Sequence, residues 1–217
     1  MTSKGNLYTS YKEGFSKNLE GQFLFDDQGL EITYRELDSE TAKLANGLKE
    51  LGLSEGDRVT VQVSKCIEMV YLYLACVRSN IIFHPLNSAY KEKELSYFLE
   101  DAKPSMFISN RETISNIAEL NLEHNINNLF TLNDDGSGDF SSIATNDSNF
   151  VTVDCEQEDI AALLYSSGTT GQPKGIMLSH GNIASNAKTL VKTWGFEQSD
   201  CLLHALPIYH VHGLFVA

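Results

Sequence analysis

The sequence predicts an α/β fold in which βαβ units form a mainly parallel sheet flanked by helices. Between Thr33 and Leu132, short β-prone segments alternate with segments of helical periodicity. Such alternation is typical of parallel sheets with crossover helices. The chain has 217 residues, 42% of them hydrophobic, which is enough to bury a substantial core.

The first predicted helix begins at Thr33–Glu36, a capping box in which a threonine hydroxyl and a glutamate carboxylate cover exposed amides reciprocally. Gly52 follows its carboxyl end. An alternating strand is predicted over Val59–Val63, and a helix that is apolar on most sides over Ile67–Ser79. The first helix is predicted to bury a row of leucines, Leu37, Leu44, Leu48 and Leu51.

The alternation of strands and helices continues to the middle of the chain, where residues 133–150 form a polar surface connection. We predict a subdomain boundary there, with a first α/β subdomain over residues 1–150 and the start of a second part over residues 151–217. The other elements predicted before that boundary are strands at Ile81–Phe83, Ser105–Ser109 and Leu129–Leu132 and helices at Glu92–Ala102 and Glu112–Leu120.

The second part begins with a strand at Ile160–Tyr165, and another short strand is predicted at Gly175–Leu178. Ser179 can cap a helix over Gly181–Thr193. A further strand is predicted over Cys201–Leu206. The first two of these strands enclose a glycine-rich stretch.

Composition argues against several classes of protein. The formal charge of −13 disfavours a surface for nucleic acid or anionic membrane, which needs a basic field. The amino terminus lacks the apolar segment of a secretory signal, and the longest apolar run, Met69–Val77, is too short to span a bilayer. The four cysteines show no close pairing, so we expect buried free thiols in a cytoplasmic protein.

The stretch YSSGTTGQPKGIMLSH, residues 165–180, has the composition of an anion-binding turn. Its glycines allow close backbone approach, its hydroxyls donate hydrogen bonds, and Lys174 adds a mobile charge. A Walker-type loop is rejected, because Gly175 rather than Ser or Thr follows Lys174, and a strand rather than a helix comes next. We predict a strand–loop–strand hairpin that binds phosphate; the alternative is a solvated glycine-rich turn.

This stretch resembles the signature of the adenylate-forming superfamily: acyl-CoA synthetases, peptide-synthetase adenylation domains and beetle-type luciferases. The segment LPIYHVHGL, residues 206–214, resembles the motif that follows it in that family. The likeness extends to ITYRELDSETAKLANGLKELGLSEGDRV and IIFHPLNSAYKEKELSYFLEDAKPSMFI, and so covers most of the chain. It implies activation of a carboxylic acid by ATP to an acyl-adenylate, followed by transfer to the thiol of coenzyme A.

The resemblance also implies the residues of the site. Mg²⁺ is expected beside the phosphates, with no protein ligand assigned to it. His210 is expected beside the carboxylate that is activated, and the candidate catalytic residues are His210, Lys174 and Thr170. The remaining histidines considered, His84, His180, His204 and His212, are interpreted as structural. The loop around the β- and γ-phosphates would consist of Ser166, Ser167, Gly168, Thr169, Thr170, Gly171 and Lys174.

The resemblance further implies that these residues are the amino-terminal portion of a larger enzyme whose carboxy-terminal domain is absent here. The stretch LPIYHVHGLFVA most resembles malonyl-CoA synthetases and related short-chain ligases, so malonate is the leading substrate hypothesis. The alternatives are an adenylation domain that loads a carrier protein, another short-chain, medium-chain or aryl acyl-CoA synthetase, and a non-catalytic nucleotide-binding module. We also expect the apolar run Leu214–Ala217 to be exposed and to favour a homodimer.

Overall fold

The computed structural model describes residues 5–216, except residues 27, 125 and 167–172. Its helices are α1 (Leu7–Phe15), α2 (Tyr34–Glu50), α3 (Ile67–Arg78), α4 (Glu92–Ala102), α5 (Arg111–His124) and α6 (His180–Trp194). Its strands are β1 (Gln22–Phe25), β2 (Glu31–Thr33), β3 (Arg58–Gln62), β4 (Ile82–Pro85), β5 (Met106–Ser109), β6 (Asn128–Thr131), β7 (Ile160–Ser166) and β8 (Lys174–Ser179).

Six of these strands form one sheet in the order β6-β5-β3-β4-β7-β8. Neighbouring strands are parallel, except for the antiparallel pair β7 and β8 at one side of the sheet. Strands β1 and β2 form a separate antiparallel pair. The predicted mainly parallel sheet is therefore confirmed, and β3, β4 and β7 end at the same edge of it.

Helices cover both faces of this sheet. On β5, Met106 and Ile108 belong to one apolar cluster and Phe107 to another, and successive side chains of a strand point to opposite faces. The prediction that β3 alternates between buried and exposed residues is wrong, because Thr60 and Gln62 are buried as well. A strand inside a parallel sheet is covered on both faces, so its polar residues are buried too.

The predicted capping box of α2 is present. The Thr33 amide donates to Glu36 Oε2 at 2.7 Å, and the Glu36 amide donates to Thr33 Oγ1 at 3.2 Å. The Thr33 amide and the Thr33 hydroxyl both donate to the Glu36 carboxylate and lower the pKa of Glu36. Three of the four predicted leucines are buried, but the prediction for Leu51 is wrong: it lies beyond the last helical turn and is 37% exposed.

The connection over residues 133–150 is less polar than predicted, because it contains a short 3₁₀ helix, Phe140–Ile143, whose two terminal side chains are buried. This segment packs on α2. A Cβ atom added to Gly47 would lie 1.6 Å from the Ile143 carbonyl oxygen, so close packing requires glycine there. Strands β7 and β8 extend the same sheet, and the division of the chain at residue 150 stays a prediction.

The predicted strand Cys201–Leu206 is wrong. Residues 201–205 have no regular secondary structure, and Leu203 is 90% exposed. No strand of the described residues runs beside them, so their backbone has no ladder to join. The expectation that the apolar end of the chain is exposed is wrong for Phe215, which is buried and lies 5.8 Å from the ring of Tyr73.

The four cysteines are free, as predicted, but they are not all buried. Cys76 and Cys155 are buried, Cys66 is half-buried and Cys201 is exposed. Burial raises the pKa of the Cys66 and Cys155 thiols to about 12 and also raises that of Cys76, so these three thiols are protonated at physiological pH. Within the part of the chain that the structure describes, no helix has both the length and the apolar character needed to cross a membrane.

Candidate active site

The hairpin predicted to bind phosphate is formed by β7 and β8. Ser166, the last residue of β7, pairs with Lys174, the first residue of β8. The two ends of the loop therefore meet at the carboxyl end of β7, which is parallel to β4. Ligands of open α/β sheets bind at this edge. The predicted loop residues Ser167, Gly168, Thr169, Thr170 and Gly171 lie outside the described residues.

Helix α4 holds both ends of this hairpin loop. The hydroxyl of Tyr97 donates to the Pro173 carbonyl oxygen at 2.8 Å, and the hydroxyl of Tyr165 donates to Asp101 Oδ2 at 2.5 Å. The Tyr165 ring also lies 4.6 Å from the ring of Phe98. Burial and the Asp101 carboxylate raise the pKa of Tyr165, so its hydroxyl remains a donor. One anchor thus precedes the loop and the other follows it.

Lys174 is exposed at the base of the loop. The described residues provide it with no ion-pair partner. A lysine ammonium on a flexible stem can move to meet an anion. Its position is compatible with the predicted contact to phosphate.

A cavity of about 190 Å³ lies beside the hairpin. Its wall comes from the end of β4 and the segment after it, from β7 and β8, and from residues 209–211. Ser166 and His210 both line it, so two of the predicted site residues share one cavity although 44 positions separate them in the sequence. His210 is exposed, and its ring lies 4.6 Å from that of Tyr209.

A buried glutamine fixes the wall that follows β4. Gln62 donates from Nε2 to the carbonyl oxygens of Asn87 and Tyr90, at 3.0 and 2.9 Å. Its own backbone carbonyl accepts from the Ser109 hydroxyl at 2.8 Å. The polar side chain of β3 therefore satisfies backbone groups that no strand could pair. This contact keeps the wall of the cavity against the sheet.

A comparison with known protein families supports the reading of this site. Residues 16–217 match the family described as AMP-binding enzyme. The chain belongs to this family. The match includes both the hairpin and the segment that carries His210.

This AMP-binding enzyme chain is similar to MatB and to several CoA ligases. It superposes over its whole length on the crystal structure of apo MatB from Rhodopseudomonas palustris, with a TM-score of 0.91 and 40% identity, and covers 42% of that chain. It is 32% identical to oxalate–CoA ligase of Arabidopsis thaliana over 174 residues, which are 77% of this chain and 33% of that protein. It is 29% identical to medium-chain fatty-acid–CoA ligase of Escherichia coli over 199 residues, 87% of this chain and 35% of that protein. The chain therefore spans about a third to two-fifths of the length of these relatives.

Two histidines of the AMP-binding chain have the structural role predicted for them. His180 accepts from the Leu7 amide at Nδ1, 3.1 Å away, so its Nε2 carries the hydrogen and donates to Asn80 Oδ1 at 3.2 Å. His84 contacts the Thr60 hydroxyl at 2.8 Å. Burial lowers the pKa of His180 to about 4 and that of His84 to about 3, so both rings are neutral at physiological pH.

The other two histidines lie near the carboxyl end of the chain. His204 is not in a strand, but it holds the backbone of its segment, with Nε2 2.7 Å from the Gly213 carbonyl oxygen. His212 is exposed at the start of a short π-helix, His212–Val216. Its exposure gives no support to a packing role.

Sequence reasoning missed three residues that shape this site, Gln62, Lys65 and Tyr97. Gln62 lies in an apolar strand, and a buried polar residue there could have indicated a specific partner. Tyr97 follows the amphipathic pattern of α4 and looks like any core aromatic residue. Lys65, whose Nζ donates to the carbonyl oxygen of His204, lies between a strand and a helix, where lysines are common on the surface.

Proposed function

We propose that these residues form the phosphate-binding and acid-binding part of an AMP-forming acid–CoA ligase. The observation that carries the proposal is the cavity that the end of the glycine-rich hairpin shares with His210 at the carboxyl edge of the sheet. Family membership supports it, since the hairpin lies within the matched residues. MatB of R. palustris, 41% identical, is known in an ATP-bound form, which supports ATP as the nucleotide.

The reaction has two steps. In the first, a carboxylate oxygen of the acid bonds to the α-phosphorus of ATP, and the bond to the bridging oxygen breaks, so that pyrophosphate leaves with the electron pair. In the second, the thiol of coenzyme A loses its proton and its sulfur bonds to the acyl carbon. The carbon–oxygen bond to AMP then breaks. Both steps need donors already in place where negative charge develops.

The chain's own residues would serve the first of these steps. The backbone amides and hydroxyls of the loop that begins at Ser166, including the hydroxyl of Thr170, would hold the β- and γ-phosphates. Lys174 would neutralise charge on the departing pyrophosphate. His210 would orient the carboxylate of the acid in the cavity. The anchors on α4 would keep the loop donors in place before substrate binds.

Mg²⁺ is a further group expected for this chemistry, where it would neutralise phosphate charge. Among the described residues, no cluster of three His, Cys, Asp or Glu side chains could hold a metal ion. The described lining of the cavity also has no carboxylate. These residues do not fit a protein-bound Mg²⁺ site, and we derive no step through the ion.

We further propose a short-chain acid, with malonate as the first choice. The cavity of about 190 Å³ is smaller than the ~300 Å³ at which pockets for drug-sized ligands begin. The Arabidopsis relative is named for oxalate, a small dicarboxylate, and the resemblance of residues 206–217 to malonyl-CoA synthetases favours malonate. The described lining also includes the imidazole of His210, which can donate a hydrogen bond to a carboxylate.

A carrier-loading adenylation domain is the second candidate function. A hybrid PKS-NRPS synthetase of Xenoacremonium sinensis is 29% identical over 174 residues, 80% of this chain and 4% of that protein. The first step would be the same in both cases. Only the acceptor of the acyl group would differ.

The test uses the full-length protein, meaning the longest form that contains these 217 residues. Acid-dependent exchange of labelled pyrophosphate into ATP is measured with malonate, oxalate, propionate, octanoate and 4-coumarate. We expect the highest kcat/KM with malonate and thioester formation when coenzyme A is added. Exchange without thioester would favour the adenylation domain. ATP binding with no exchange for any acid would contradict the ligase.

A further inference from the structure

Lys65, which lies just before α3, reaches the segment that carries His210. Its Nζ donates to the carbonyl oxygen of His204 at 2.5 Å and contacts Nδ1 of the same residue at 2.8 Å. The two residues are 139 positions apart in the sequence. This contact ties the region after β3 to the region between α6 and the cavity.

The hydrogen-bond directions in this contact are fixed. His204 Nε2 lies 2.7 Å from the Gly213 carbonyl oxygen, which can only accept, so Nε2 carries the hydrogen. The Lys65 ammonium can only donate, so Nδ1 accepts its hydrogen bond. The hydrogen bonds are therefore consistent in direction: Lys65 donates to His204, and His204 donates to Gly213.

This chain of hydrogen bonds closes a loop around His210. The His210 carbonyl oxygen accepts from the Leu214 amide at 3.0 Å. A Cβ atom added to Gly213 would lie 2.1 Å from the Pro207 carbonyl oxygen. The backbone at residue 213 therefore packs directly against the backbone at residue 207. Residues 201–205 join no sheet, so no ladder of backbone hydrogen bonds holds them in place. Side-chain contacts must do so instead.

The position of Lys65 is unfavourable without this partner. It precedes the amino terminus of α3, and the positive end of a helix dipole repels a cation. The structure shows no carboxylate within ion-pair distance of Lys65 among the described residues. The carbonyl oxygen and imidazole nitrogen of His204 therefore stabilise an ammonium that would otherwise turn to solvent.

We propose that Lys65 and His204 are positioning residues that hold the His210 segment at the carboxyl edge of the sheet and so orient the acid for adenylation. The proposal rests on the proposed function for its effect on activity. The contact itself does not depend on that function, so each can be tested separately.

The kinetic test compares Lys65→Met, Lys65→Arg, His204→Phe and the double variant Lys65→Met/His204→Phe in the full-length protein. We expect each disruptive single variant to lower kcat/KM for the acid about 10-fold, since the hydrogen bonds that it removes are charge-assisted. KM for ATP should change less than about 2-fold. The double variant should be no worse than the worse single variant, because both break one contact. Lys65→Arg should restore part of the activity.

The control is Lys49→Met, which removes an exposed lysine from the last turn of α2. It should leave both kinetic constants unchanged. Losses that multiply in the double variant would overturn the proposal. So would a loss seen with malonate but not with propionate, because Lys65 would then bind the second carboxylate directly.

The structural test is hydrogen–deuterium exchange of the same variants. Lys65→Met should speed exchange in peptides from residues 204–214 and leave peptides from α4 unchanged, whatever the enzyme does with acids. Unchanged exchange in that segment would overturn the positioning role. Faster exchange with no acid-dependent activity in the wild-type protein would retain the contact and reject the proposed function instead.

Discussion

The hydroxyl of Tyr97 donates a hydrogen bond to the carbonyl oxygen of Pro173 at 2.8 Å. Pro173 lies at the exit of the glycine-rich loop, 76 positions away in the sequence. The bond from Tyr165 to Asp101 holds the entrance of the same loop to the same helix. Preorganised donors lower a barrier only when the protein holds them in position beforehand. Helix α4 packs against the sheet and, through these two bonds, also supports the proposed phosphate site.

Tyr97→Phe should weaken this anchor while keeping the aromatic packing. A neutral hydrogen bond contributes ~0.5–1.5 kcal/mol. Without it, kcat/KM for ATP in pyrophosphate exchange should fall about 2- to 10-fold. KM for the acid should stay constant, because the cavity wall at His210 does not depend on Tyr97. The matched control is Tyr71→Phe, on α3 and outside the cavity lining. An equal effect of both variants would argue against a specific role for Tyr97.

Lys174→Ala in the full-length protein should lower the rate of adenylation more than it weakens ATP binding. Charge develops on the departing pyrophosphate, so the lysine matters most in the transition state. The loss should be on the order of 10²-fold, as for removal of another preorganised donor. Exchange rate and ATP affinity are measured together, with Lys188→Ala on exposed α6 as the control. An unchanged exchange rate would reject the role.

His210→Ala should impair activation of the acid and leave the fold intact, since the side chain is exposed and lines the cavity. Misplacement of the acid should lower kcat/KM by about 10- to 100-fold. His212→Ala is a matched control, because His212 is exposed in the same segment and does not line that cavity. A large fall in melting temperature without a change in rate per folded molecule would instead make His210 a packing residue.

The sequence was sufficient to predict the elements whose signals are local. Hydrophobic periodicity and capping residues predicted α2 and the β7–β8 hairpin because each depends on neighbours in the chain. The false strand at Cys201–Leu206 has the right composition, but a strand also needs a partner, which is a property of the tertiary fold. The contacts of Tyr97 with Pro173 and of Lys65 with His204 join distant residues. No local pattern could indicate them.

Stability should depend on pH through His180. Burial lowers the pKa of His180 from 6.5 to about 4, and its Nδ1 accepts from the Leu7 amide. The folded state therefore binds this proton at a lower pH than the unfolded state does. The unfolded chain then takes up the proton first as pH falls from 6.5 towards 4, and the folded state loses stability over that window. Between pH 7 and pH 5 this loss is about 2 kcal/mol.

The measurement is urea unfolding at both pH values for the wild-type protein and for His180→Gln, which retains a donor and an acceptor but does not titrate. We expect the variant to lose about 2 kcal/mol less of its unfolding free energy between pH 7 and pH 5. His84 remains in both proteins, so its own titration cancels from the difference. Equal losses of unfolding free energy in the two proteins would mean that folding does not lower the pKa of His180, and the prediction would be wrong.

A polypeptide of these 217 residues alone should fold, at least in part, but should not form a thioester. Its βα units bury apolar clusters on both faces of the sheet, and α4 anchors the residues on either side of the glycine-rich loop. However, it spans only 42% of the length of MatB, and the candidate site residues Lys174 and His210 are exposed to solvent. The site is therefore open, and water would screen the charges that the loop must stabilise.

The purified polypeptide is incubated with ATP, Mg²⁺, coenzyme A and malonate, and AMP and thioester are measured against the full-length protein under the same conditions. We expect weak binding of ATP through its phosphates and no thioester above background. Circular dichroism and hydrogen–deuterium exchange report whether the sheet has formed, so that inactivity is not confused with unfolding. Turnover at a rate typical of an enzyme would mean that these residues alone contain every group that the reaction needs. The prediction that they are an incomplete ligase would then be wrong.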